Sequence, residues 1–135
     1  MVNGVATHRS HHRARETADR LAAAVSEQGQ TLMARIDHAA AAKKVGLDLR
    51  PTEVLFFGNP NVGTLLMQQS QAIGLELPLK VLVWEDDKGV AWVAHIDLDW
   101  LVSQYGIASA VQPTLDKMSA MLKAVLEEAT GDHNL

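Results

Sequence analysis

The 135-residue chain contains no cysteine. That excludes disulfides, thiolate metal sites and cysteine nucleophiles, and it fits a reducing cytoplasm. Basic charge is not in excess. Twelve Lys and Arg face 16 Asp and Glu, for a net charge of −4 at pH 7. A nucleic-acid module usually presents a basic face, so no nucleic acid is expected as a partner. No run approaches the ~20 apolar residues of a membrane span. The opening "MVNGVATHRSHHRARE" is polar throughout and lacks the apolar core of a signal peptide. The expectation is a cytoplasmic protein with no membrane partner. Several catalytic signatures are also missing. No Lys follows Gly63, so "GNPNVG" is not a phosphate loop. No serine has a G-x-S-x-G context, no dinucleotide fingerprint is present, and no H-E-x-x-H zinc-protease motif occurs.

What is present is ordinary globular composition, 47% apolar, at a length that fits one domain over residues 1–135. Residues 1–12 are weakly patterned, with Val5 and Ala6 as a possible first strand. Ala18, Leu21, Ala22 and Val25 recur at helical spacing and give one face. "TLMARID" alternates as a half-buried strand, and Asp37 suits an N-cap for "HAAAAKKV". "TEVLFFG" is a near-continuous apolar run of strand length. "TLLMQQSQAIG" follows as a short helix. "LPLKVLVWED" and "VAWVAHID" read as strands joined by "DDKG", a reverse turn with glycine placed for positive φ. Asp97 and Asp99 fit a capped helix stopped by Gly106. Pro113 suits the first turn of a last helix whose buried face is Leu115, Met118, Leu122 and Val125. "GDHNL" reads as a frayed tail. The order is β-α-β-α-β-α-ββ-α-α. A tight hairpin needs antiparallel pairing, and the incomplete alternation indicates an α+β fold, helices packed on one face of a mostly antiparallel sheet.

Four stretches carry a resemblance: "DHAAAA", "LRPTEVLFFGNP", "GTLLM" and "LPLKVLVWED". With their surroundings, from about Thr17 to Gly106, they closely resemble the bacterial and archaeal DUF302 family, a domain of unknown function. The resemblance implies a small α+β fold with a TBP-like arrangement of strands, and it implies no settled activity. Many relatives hold tyrosine at the position of His95, in a "YNDP"-like stretch where this chain reads "HIDLD".

The candidate ligand-binding residues are His38, Asn59, Gly63, Thr64, Glu85 and His95. In "FFGNPNVGTLLM", Gly58 permits close backbone approach and Asn59 offers a donor and an acceptor. Asn61 or Thr64 would start a helix whose free amides bind an anion; the competing reading is a plain turn, since Asn-Pro commonly initiates one. Glu85 points to the face of Val81 and Val83, where a carboxylate either marks a site or, at the strand's end, lies in water or pairs with a lysine. His38 would bind a metal, shuttle a proton or simply be hydrogen-bonded. His95 shares a face with Glu85, several rungs away. His8, His11 and His12 in "THRSHHR" read as a solvated segment. Trp84 and Trp92 face each other across the hairpin if its loop has three residues, and they mark a candidate interface of a homodimer. Asn59, Glu85 and His38 are expected to converge on one concave surface.

Three functions follow. The first is a non-catalytic accessory module binding a small polar ligand or a partner peptide. The second is a small enzyme using Glu85 or His38 as acid/base. The third is a histidine-based metal or haem carrier. The sequence specifies no cofactor.

Overall fold

The structure, a computed structural model, describes residues 2–135. Its elements are β1 (Val5–Arg9), α1 (Ala14–Glu27), β2 (Thr31–Asp37), α2 (His38–Lys44), β3 (Thr52–Gly58), α3 (Pro60–Gln69), a 3-10 segment (Gln71–Glu76), β4 (Leu79–Glu85), β5 (Ala91–Ile96), α4 (Leu98–Gln104) and α5 (Ala108–Thr130). The expected order is observed, with the 3-10 segment added. The strands form one five-stranded sheet in the order β1-β5-β4-β3-β2. Every neighbouring pair is antiparallel, so the fold is α+β as read from the sequence.

Alternation along the strands decides the two faces. Leu55, Phe57, Val81, Val83, Ala91 and Val93 are buried on one of them. Helices α1 and α5 pack along each other, and Leu21, Val25, Leu115, Leu122 and Val125 join the same core. Each such side chain contributes roughly 1.5–3 kcal/mol relative to exposure. The other face carries Val54, Phe56, Leu82, Trp84, Trp92 and Ala94, all only partly buried.

The hairpin between β4 and β5 closes through Asp86. Its Oδ1 accepts from the backbone N–H groups of Lys88 and Val90, at 2.9 Å each. Gly89 supplies the left-handed residue, φ 78°. The loop has the length that sets Trp84 opposite Trp92.

Four expectations are corrected. The lead-in is not loosely patterned in space, because Val5–Arg9 pairs along its whole length with β5. A short edge strand needs few apolar residues, so its signal was weak. Helix α3 begins at Pro60 rather than Thr64. Pro113 lies inside α5, beyond its first turn. There its missing N–H leaves a carbonyl at Ser109, an exposed position where solvent satisfies it. The tail is anchored as well. Gly131 closes α5 through its N–H to Glu127 O at 2.9 Å, and Leu135 packs against the core.

Candidate functional site

The turn after β3 explains its own residues. Asn59 is extended, and its Oδ1 accepts from the Asn61 N–H at 2.9 Å, which makes it the N-cap of α3. Pro60 occupies the first helical position, where its lack of an N–H does no harm. The N–H groups of Val62 and Gly63 both donate to Asn59 O, at 2.9 and 3.0 Å. The first turn therefore presents no free amide, and the expected anion cradle at this terminus is overturned. The polarity of Asn59 is accounted for by capping.

Beside that turn lies a cavity of about 390 Å³. Three of the sequence candidates, Asn59, Gly63 and Thr64, do line it. Its walls otherwise are largely apolar and rich in thioethers, with Met33, Met67, Met118 and Met121 all contributing. Glycines keep it open. A Cβ on Gly63 would lie 3.7 Å from Leu77 and 3.9 Å from Met67, and one on Gly74 would press to 3.1 Å from the Met67 sulfur. Neither glycine has the positive φ that would demand glycine for backbone reasons. The one charged group in the lining is Lys117, and no Asp, Glu or His is part of it.

Glu85 and His38 are elsewhere. Because β3 and β4 are antiparallel, Phe57 pairs with Leu79 while Thr52 pairs with Trp84. Asn59 follows one end of β3, and the Glu85 N–H bonds Pro51 O at the other end. The three residues expected to converge do not. Sequence proximity to strand ends was correct, but antiparallel pairing sends those ends in opposite directions. Glu85 forms an ion pair with Arg13, Nη2 to Oε1 at 2.9 Å. His38 is exposed at the start of α2, next to the cap Asp37, whose Oδ1 accepts from the Ala40 N–H at 2.9 Å.

His95 is in a different setting. Its Nδ1 donates to Ile96 O at 2.9 Å, which leaves Nε2 as an acceptor. Nε2 of His8 lies 3.4 Å away, and the two rings stack with centroids 5.5 Å apart. Both line a second cavity of about 240 Å³ with Asp97, Asp99 and Lys123. Burial lowers the His8 pKa, the neighbouring His95 lowers it further, and Asp132 opposes both. The sequence reading missed this pair by assigning His8 to a solvated cluster. The period-two pattern of residues 5–9 was the available signal, since it puts Ala6 and His8 on the face of Val93 and His95. Among the described residues no group of three or more His, Asp or Glu is placed to hold a metal ion. The pair thus offers two ligand nitrogens and no third. A further polar feature was also missed. Buried Glu53 takes two bonds from Arg35, at 2.8 and 3.3 Å, and that hydrogen bonding raises the arginine's pKa.

These features define a small single-sheet α+β domain with an apolar cavity at one end of its sheet. The profile "Domain of unknown function DUF302" matches residues 6–127, and the chain belongs to that family. A DUF302 protein from Bacillus stearothermophilus has the same fold, with a TM-score of 0.81 and 19% identity over 95% of this chain and 99% of that one. Two curated relatives are called fluoride-specific ion channels. FluC 1 of Brucella suis is 38% identical over 130 residues, covering 96% of this chain and 51% of that protein. FluC 2 of Brucella melitensis is likewise 38% identical over 130 residues, covering 96% of this chain and 48% of its own length. The chain therefore spans about half the length of these relatives.

Proposed function

We propose that the domain is a non-catalytic cytoplasmic binding module that takes a small, largely apolar molecule into the methionine-lined cavity. The observation that carries this reading is the cavity itself. Its volume of about 390 Å³ and its apolar walls with a few polar groups are those of a small-molecule site. No Asp, Glu or His lines it, which argues against a carboxylate or histidine enzyme built there. Glu85, tied to Arg13, and exposed His38 are remote from it. The expected ligand shifts from polar to apolar, because the amides that were to hold a polar group are already bonded within α3.

The context is an accessory role beside a channel. No helix among the described residues is long and apolar enough to cross a membrane. We assign the channel named in the Brucella relatives to the half that this chain does not match, and the present domain to a regulatory role toward it. Native mass spectrometry of gently purified protein tests the binding reading. A retained small molecule is expected, and Gly63→Leu, which fills the cavity, is expected to lose it. A ligand-free protein whose melting temperature is also unmoved by decanol would overturn the reading.

A further inference from the structure

Resting on the reading that this cavity binds a ligand, we infer the ligand's chemical class: an amphiphile with an apolar body and one acidic group, the body among the methionines and the acid on Lys117. Four of the chain's five methionines line this one cavity. Unbranched, polarisable thioethers follow an apolar shape without dictating a single one. The lining runs from floor to mouth, since Met118 is 5% exposed and Met33 49%. Such walls select against charge everywhere except at Lys117.

Lys117 is exposed, so it stands at the mouth and keeps its hydration until a ligand arrives. It takes part in none of the ion pairs among the described residues. The chain as a whole carries −4, whereas this cavity carries a single positive charge and no carboxylate. An anion entering this cavity meets that positive charge and no lining carboxylate. No backbone amide competes, because the first turn of α3 has no free N–H to offer. A cationic ligand would meet Lys117 with no counter-charge. A soft metal ion on the thioethers has the same difficulty, although sulfur ligands suit it.

Isothermal titration with decanoate and decanol, which share a tail and differ in the head, tests the inference. Decanoate is expected to bind the unmodified chain about tenfold more tightly than decanol, as a charge-assisted contact at an exposed lysine allows. Lys117→Gln is expected to abolish that preference. Lys88→Gln, in the hairpin loop, removes the same net charge and is expected to keep the preference. Equal affinities for the two probes in the unmodified chain, or a preference that survives Lys117→Gln, would overturn the acid while leaving the cavity reading intact. Binding of neither probe would overturn both. Silver(I) binding that Met118→Leu removes, with no amphiphile bound, would replace the acid by a soft cation.

Discussion

Gly63 is the residue at which packing and function pull apart. A glycine within a helix is destabilising by roughly 0.5–1 kcal/mol relative to alanine. Here no positive φ requires it, and a Cβ would meet only ordinary contacts at 3.7 and 3.9 Å. Gly63→Ala is therefore expected to raise the melting temperature in calorimetry while weakening decanol binding severalfold. A stabilised variant with unchanged affinity would show that the space above Gly63 is not used. His8 makes the second residue-scale case. Its folded pKa lies below the ordinary 6.5, mainly through burial and then through His95. As pH falls through about 6.5, the unfolded chain takes up this proton before the folded one does. The histidine contribution is thus fully present above that value and is lost as pH falls toward the lower folded pKa. Urea titrations between about pH 7.5 and pH 5 are expected to show falling stability, with a shallower slope in His8→Phe. An unchanged slope would mean that other groups carry the dependence.

At the level of elements, the cap of α3 is the informative test. Asn59→Ala removes one side-chain bond to a first-turn amide and is expected to cost about 1 kcal/mol of stability, read by denaturant unfolding. Ligand-induced stabilisation should persist, because the methionine walls remain. Loss of the ligand response with full apo stability would give the side chain to the ligand instead. Most elements were legible in the sequence for local reasons. The β4–β5 hairpin follows from its alternation and from Asp86 and Gly89, and the caps Asp37 and Asp97 follow from helix chemistry. Candidate residues Asn59, Gly63 and Thr64 also line the cavity together, since all three lie at the start of α3. The rest was not legible, because it depends on tertiary approach. Met33 from β2, Met67 from α3 and Met118 and Met121 from α5 meet only after the sheet and helices assemble. His8 and His95 likewise depend on pairing between strands 87 positions apart.

For the molecule as a whole, the outward sheet face poses the question of association. Trp84 and Trp92 lie opposite each other there, with Val54, Phe56, Leu82 and Ala94 on the same side. The Trp92 indole N–H donates to Asp86 Oδ2 at 2.8 Å, which holds the ring in place. We propose that this face meets its own copy across a two-fold axis, an arrangement that matches one apolar patch with another. Trp92→Arg is expected to give a folded chain with weakened self-association, measured by sedimentation. A monomeric unmodified chain at micromolar concentrations would dispose of the homodimer.

The sheet order has a kinetic consequence. Strands β2, β3 and β4 each pair with the next strand in sequence, whereas β1 must wait for β5, almost ninety positions later. Contacts between sequence neighbours close small loops and form early, and distant ones bear the larger closure entropy. The N-terminal strand of the sheet is therefore expected to be the last to dock, and the stacked histidines to come together at that closing step. Pulse-labelled hydrogen exchange during refolding is expected to find the amides of Val5–Arg9 protected after those of β3 and β4. A simultaneous onset would mean that the edge strand belongs to the folding nucleus.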